Sequence, residues 1–136
     1  MSTRPGSRQS LRGMIKLQRL TKARHEMALA RLNAQSSAIA EENTALFRMQ
    51  NDRFENGAGI VPPDLVMKRL ETNKAKQAGL SERMVREKRD LLAVSRTIDI
   101  LCGRLRQLEQ AMERAAAAEE IEEYVIHTIV GGTSLP

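Results

Sequence analysis

The sequence predicts an all-α protein, namely a long antiparallel two-helix coiled-coil hairpin with a projecting C-terminal tail. Its 136 residues are 41% hydrophobic but only 2% aromatic, and so little bulky apolar material cannot fill a globular core. Residues that favour helices, such as Ala, Leu, Glu and Arg, dominate instead. One central break and a long heptad repeat complete the prediction, because they divide the chain into two helices and give the second a surface for pairing.

The central break concentrates residues that end and begin helices. Gly57 can adopt the left-handed conformation that closes a helix. Two prolines follow and disfavour helix immediately before them, and Asp64 is then a good N-cap. The organisation that we expect is a flexible N-terminus at 1–6, a helical hairpin at 7–127 with helices at 7–55 and 64–127 and a loop at about 56–63, and a flexible tail at 128–136.

The second helix carries a heptad repeat. With Leu70 as position a, six of seven a positions and five of seven d positions are apolar, which is typical of a coiled coil. The a positions are Leu70, Gln77, Met84, Leu91, Ile98, Leu105 and Met112, and the d positions are Asn73, Leu80, Glu87, Val94, Leu101, Leu108 and Ala115.

The first helix has a weaker pattern, with Leu32, Ile39 and Leu46 at seven-residue spacing and a second stripe at Leu17 and Leu20. If the loop centre lies near residues 59 and 60, antiparallel pairing places residue i opposite about 119 minus i. The pairs that this rule predicts are Leu46 with Asn73, Ile39 with Leu80, Leu17 with Cys102, Asn43 with Gln77, and Arg4, Arg8 and Arg12 with Glu109 and Glu113.

The net charge of +5 is unevenly distributed. Residues 1–31 hold eight Lys and Arg against one Glu, whereas residues 109–123 hold six Glu against one Arg, so the two regions attract each other if the chain doubles back. The N-terminus lacks the apolar block of a signal peptide, no segment approaches the roughly 20 apolar residues of a membrane span, and the one cysteine cannot form an internal disulfide. These features predict a soluble cytoplasmic protein.

Catalytic and metal-binding motifs are missing from the sequence. His25 and His127 are far apart, and no HExxH, P-loop, nucleophile-elbow or CxxC pattern occurs. We expect both histidines on solvated helix faces and Cys102 packed on the flank of the seam between the helices. The sequence therefore predicts no enzymatic activity, no metal and no cofactor.

Two other functions compete with a protein-scaffold role. Arg4, Arg8, Arg12, Lys16, Arg19 and Lys22 recur at three- or four-residue steps, a spacing that can line the phosphates of a nucleic acid. No aromatic residues for base stacking accompany them. A free-standing structural coiled-coil adaptor would instead self-associate through Leu91, Ile98 and Leu105.

The order of parts resembles a known family. A short basic N-terminus precedes LRGMIKLQRLTKARHEMALARLNAQ, a mid-chain break leads to a longer heptad helix, and a glutamate-rich LEQAMERAAAAEEIEEYVI follows. This layout resembles the FliJ-type stalk proteins of type III secretion, which serve flagella and injectisomes. The resemblance rests on length, hairpin layout and scattered positions over most of the chain.

The resemblance implies a cytoplasmic stalk at the periphery of an inner-membrane secretion apparatus, with the export ATPase hexamer, the cytoplasmic domain of the export gate and secretion chaperones as partners. The ATPase-facing residues that it implies are Arg4, Arg8, Arg12, Lys16, Glu119, Glu120, Glu122 and Glu123. The gate-facing residues are Phe47, Met49, Phe54, Val66 and Leu70. Departures from the family pattern are the uncharged, β-branched YVIHTIVGGTSLP tail and the alanine-rich first helix.

Overall fold

The computed structural model describes residues 5–56 and 61–133, with side chains at 7–52 and 61–131. Two long helices, α1 (Pro5–Asn56) and α2 (Pro63–Thr133), pack against each other as a hairpin. No strand occurs in the described part of the chain. The predicted all-α two-helix hairpin is therefore confirmed.

The start of α2 differs by one residue from the prediction. The carbonyl oxygen of Pro62 accepts hydrogen bonds from the amides of Leu65 at 3.1 Å and Val66 at 3.4 Å. Pro62 is therefore the N-cap and Pro63 the first helical residue, a position where a missing amide hydrogen costs nothing. Asp64 is not the N-cap, but its charge in the first turn still favours the positive end of the helix dipole. Gly57, the predicted helix-closing residue, lies outside the described residues.

The end of α2 lies six residues beyond the predicted His127, since the helix continues to Thr133. Residues 128–133, predicted as part of a flexible tail, are therefore helical. The hydroxyl of Thr128 donates to the carbonyl of Tyr124 at 2.8 Å, which satisfies the side chain within the helix. β-branched residues lower helix propensity by only a few tenths of a kcal/mol each, roughly, so they do not end an established helix. Residues 1–4 and 134–136 lie outside the described residues.

The hairpin divides into two units. The terminal unit comprises residues 1–20 and 95–136, and the loop unit comprises residues 21–94. The terminal unit buries Ile15, Ile98 and Leu101, which are 5%, 9% and 3% exposed. Outside residues 53–60, the loop unit buries two aliphatic side chains, Val66 and Leu80, and one amide, Asn73.

The heptad pattern of α2 is confirmed. Every predicted a and d residue from Leu70 to Met112 is buried or half-buried, and only the last d residue, Ala115, is exposed. Leu91, Ile98 and Leu105, the stripe through which self-association was expected, are among these covered residues. They therefore do not form the exposed surface that this alternative requires.

The pattern predicted for α1 is correct in its second half and wrong in its first. Leu32, Ile39 and Leu46 are half-buried, but Leu17 is 66% exposed and Leu20 is 53% exposed. Continuing the seven-residue spacing backwards from Leu32 reaches the half-buried residues His25, Gln18 and Leu11. Because two of these residues, His25 and Gln18, are polar, the apolar pattern does not identify the buried side of this part of α1. Within the described residues, neither helix contains a stretch long and apolar enough to cross a membrane.

Candidate partner-binding surfaces

An ion pair joins the two helices of the terminal unit. Nη2 of Arg12 donates to Oε1 of Glu109 at 3.1 Å, and the two side chains are 56% and 38% exposed. This contact confirms the predicted approach of the basic start of α1 to the acidic part of α2. Solvent screens such an exposed pair, so it contributes little to stability.

A shallow groove of about 620 Å³ lies beside this pair. Ile15, Cys102 and Leu105 form part of its lining, together with the basic residues Lys16 and Arg19. Cys102 is half-buried, as expected for a side chain on the flank of the seam. The predicted approach of Leu17 to Cys102 is wrong, because Ile15 is the buried residue of this turn.

The candidate ATPase-facing residues are mostly exposed. Arg12, Lys16 and all four glutamates at 119, 120, 122 and 123 are open to solvent. Arg8 is half-buried, and its Nε is buried with no hydrogen-bond partner in the described part of the chain. Arg4 lies outside the described residues.

The C-terminal segment of α2, residues 113–131, is a helix with every side chain exposed. Its large apolar side chains include Ile121, Tyr124 and Val125, which are 65%, 72% and 46% exposed. Spacings of three and four residues place these three side chains along one side of the helix. We call this row the C-terminal stripe. Ile129, which is 60% exposed, lies instead at a d position of the heptad repeat. Acidic residues precede and interleave with the stripe, so the segment combines apolar surface with negative charge.

A buried amide pair lies in the loop unit. Nδ2 of Asn73 donates to Oδ1 of Asn43 at 2.8 Å and to Oε1 of Glu42 at 3.3 Å. Asn73 is 0% exposed, and its own Oδ1 has no partner among the described side and main chains. Asn43 was expected opposite Gln77, and Asn73 opposite Leu46. Each asparagine therefore lies three to four residues from the partner that the pairing rule predicts. The rule assumes a loop centred near residues 59 and 60, whereas the hydrogen bond between the two amides sets the observed register.

A bidentate ion pair flanks this amide pair. Both Nε and Nη2 of Arg69 donate to the carboxylate of Glu42, the second at 3.1 Å. The hydrogen bonds from Arg69 and then from Asn73 favour the ionised carboxylate and lower the pKa of Glu42 from 4.5 to about 2. The same pairing raises the pKa of Arg69. No sequence pattern predicts this pair, since neither residue occupies a predicted core position.

His25 and Glu87 form a further polar layer in the loop unit. Nδ1 of His25 lies 2.6 Å from Oε2 of Glu87, and the side chains are only 24% and 26% exposed. The prediction that His25 lies on a solvated face is wrong. Glu87 occupies a d position, and His25 lies two heptads before Ile39, so extending both repeats places both residues in the seam. The pairing rule nevertheless puts His25 opposite residue 94, so their contact is not predicted from the sequence.

An open groove of about 550 Å³ in the loop unit has more cationic than acidic residues in its lining. Arg69, Lys76, Arg83 and Arg86 line it, together with the acidic residues Glu42 and Glu82. Arg69 forms an ion pair with Glu42, whereas no ion pair of the described residues involves Lys76, Arg83 or Arg86. The groove therefore presents net positive charge.

The candidate gate-facing residues divide into two groups. Phe47 and Met49 are 54% and 46% exposed, so their side chains are available to a partner. Val66 is 3% exposed and Leu70 is half-buried, so both belong to the interior of the hairpin. This placement corrects the expectation that Val66 presents a contact surface. The side chain of Phe54 lies outside the described residues.

No family model, curated protein or solved structure matches this chain. Among the residues that the structure describes, no group of three or more His, Cys, Asp or Glu side chains could hold a metal ion. The class of the protein is therefore defined by its fold alone, an all-α two-helix hairpin.

Proposed function

We propose that this chain is a non-catalytic stalk or scaffold of a type III protein export apparatus, which links the export ATPase ring to the export gate and escorts secretion chaperones. In this proposal it acts at the cytoplasmic side of an inner membrane without crossing it. The support is the resemblance in the order of parts, together with a hairpin of two long helices, the fold that the resemblance implies.

The observation that carries the proposal is the exposed C-terminal segment of α2. From Glu113 to Gly131 no described side chain is covered by the rest of the chain. Exposed apolar residues such as Ile121 and Tyr124 are costly to leave in water. Such a surface is typical of a helix that binds another protein.

The ATPase contact is tested with purified full-length chain and the hexameric export ATPase. Glu119→Gln, Glu120→Gln, Glu122→Gln and Glu123→Gln are combined in one variant, which removes four charges from exposed positions. We expect its affinity to fall by about tenfold or more, equivalent to about 1.4 kcal/mol. The control combines Glu71→Gln with Glu82→Gln, two exposed acids of the loop unit, and should bind as the unchanged chain does.

The gate contact is tested separately with the cytoplasmic domain of the export gate. Phe47→Ala with Met49→Ala removes two exposed apolar side chains from α1 and should weaken binding. Val85→Ala with Leu92→Ala removes two similarly exposed side chains from α2 and should leave binding unchanged. If the unchanged chain binds neither partner, the export proposal is wrong.

The positive groove of the loop unit favours one alternative, a polyanion such as nucleic acid. Lys76, Arg83 and Arg86 could contact successive phosphates. This alternative requires retention on heparin and a steep loss of nucleic-acid affinity as salt rises. Combined Lys76→Gln, Arg83→Gln and Arg86→Gln should then reduce the slope of that salt dependence, whereas the export proposal leaves ATPase binding by this variant intact.

A further inference from the structure

The C-terminal stripe faces away from the seam that holds the hairpin together. Met112 is the last half-buried residue of that seam, and Ile121 follows it by nine residues. Nine residues are about two and a half helical turns, so the two side chains point to opposite sides of α2. The stripe therefore does not continue the intramolecular seam, and a partner could contact it without disturbing the hairpin.

Acidic residues flank this stripe on both sides. Glu120 and Glu122 adjoin Ile121 in sequence, so each lies about 100° around the helix from it, in opposite directions. With Glu119 and Glu123 they place four negative charges within two turns. A helix that covers the stripe would gain most if it carried an apolar row with basic residues beside it.

The N-terminal part of α1 has these properties. Met14, Leu17 and Leu20 are 47%, 66% and 53% exposed, and they lie at least about 100° around α1 from the buried Ile15. Lys16 and Arg19 lie within the same stretch and are exposed. We call this surface the basic face of α1.

The two surfaces also match in spacing. Met14, Leu17 and Leu20 follow one another at three-residue steps, as do Ala118, Ile121 and Tyr124. When one row is laid along the other in either direction, Lys16 and Arg19 fall level with two of the glutamates at 119–123. Apolar contact and charge pairing therefore form in the same alignment.

One chain cannot make this contact with itself. The C-terminal segment continues the helix that already pairs with α1 in the terminal unit, and α2 has no break before Thr133. A straight helix cannot turn back onto the opposite side of its own neighbour. The complementary surface must then come from another molecule, and a second copy of this chain supplies it.

We propose that the chain forms a symmetric dimer in which the C-terminal stripe of each copy packs on the basic face of α1 of the other. The contact is isologous, so it forms twice per dimer and closes without leading to filaments. The glutamates at 119–123 are also the candidate ATPase contacts, and dimerisation would keep them from the ATPase. The dimer itself follows from the terminal unit alone and does not require the export function.

The first test is the mass of the full-length chain in solution, measured by sedimentation equilibrium over a range of concentrations. We expect twice the chain mass of 15.2 kDa. The dissociation constant of the dimer should rise with salt concentration, because part of the attraction is between exposed charges. A mass of one chain at every concentration would overturn the proposal.

The second test compares two matched variants. Ile121→Glu with Tyr124→Glu places charges on the stripe and should abolish the dimer, and Val85→Glu with Leu92→Glu places them on similarly exposed residues of the loop unit and should retain it. Circular dichroism should show unchanged helicity for both, since all four positions are exposed. A dimer that survives the first pair, or is lost with the second, places the interface elsewhere.

The third test uses charge exchange to identify the partner surface. One variant combines Glu119→Lys, Glu120→Lys, Glu122→Lys and Glu123→Lys, and the other combines Lys16→Glu with Arg19→Glu. Each should be monomeric alone, because like charges then meet across the interface, whereas a mixture should form a heterodimer in which both contacts are restored. A mixture that stays monomeric would show that these residues do not face each other.

Discussion

The terminal unit and the loop unit bury different kinds of side chain. Among the described residues, those buried in the terminal unit are aliphatic, whereas the loop unit buries an asparagine in addition to two aliphatic side chains. The loop unit also holds the polar contacts Asn43–Asn73, Glu42–Arg69 and His25–Glu87. Apolar contacts are non-directional and mainly supply stability, whereas buried polar pairs require one alignment. The comparison indicates that both units supply apolar stabilisation and that the loop unit adds the polar contacts that fix the register.

The largest effect is expected in the aliphatic seam of the terminal unit. Leu101→Asp buries a charge at a position that is 3% exposed, and it should lower the free energy of unfolding by roughly 3 kcal/mol or more. Thermal unfolding followed by circular dichroism measures the loss. Ile100→Asp is the matched control, since Ile100 is 56% exposed. Equal effects of the two changes would contradict the assigned seam.

The buried amide of the loop unit should be the next most sensitive position. Asn73→Ala leaves Oδ1 of Asn43 without its donor and should cost about 1–3 kcal/mol, whereas Lys74→Ala at an exposed position should cost almost nothing. Urea denaturation measures both. Replacing both amides, with Asn43→Leu and Asn73→Leu, should recover much of the loss while relaxing the register. A neutral Asn73→Ala would show that the amide pair does not hold the helices.

The two polar side-chain pairs with the clearest contrast in exposure allow a direct comparison of the units. A double-mutant cycle with His25→Ala and Glu87→Ala should give a coupling of about 0.5–1 kcal/mol, since both groups are three-quarters covered. The corresponding cycle with Arg12→Ala and Glu109→Ala should give less, because those side chains are 56% and 38% exposed. A larger coupling in the terminal unit would reverse the proposed division of roles.

The pH dependence of stability should report Glu42. The pKa of Glu42 is about 2 in the folded chain and 4.5 without its partners, so folding favours the ionised carboxylate over the protonated one. The stabilisation is complete above about pH 4.5 and is lost as the pH falls towards 2. Comparison of the chain with Glu42→Gln by denaturation across this range should show a difference that shrinks with acidification. The effect should be small, because the carboxylate remains 36% exposed.

The helices could be predicted from the sequence more accurately than their contacts. The heptads of α2 were identified because apolar residues dominate their a and d positions. On α1 the apolar pattern predicts Leu17 and Leu20 in the seam, but both are exposed. The less apolar Gln18 and His25 occupy the seam instead. A leucine at the surface costs less than a misaligned helix, so local hydrophobicity alone misidentified the packed side.

The candidate surfaces were only partly predictable for the same reason. The resemblance implies the acidic residues at 119–123 as partner contacts, and antiparallel pairing predicts the Arg12–Glu109 approach, which is confirmed. The resemblance also implies Val66 as a contact through its position near the loop, yet Val66 is buried. The exposed stripe at Ile121, Tyr124 and Val125 lies within the predicted helix 64–127, but glutamates interleave with it, and only the structure shows that no other described part of the chain covers it.

The sequence by itself determined that this protein is two helices joined by one break, because helix propensity, proline placement and heptad spacing are local properties that act within a few turns. Only the tertiary structure decided which side chains meet across the hairpin. Asn43 meets Asn73, and His25 meets Glu87, because a buried polar group must find a partner wherever the packed helices place one. That choice depends on both helices at once, so neither helix sequence specifies it alone.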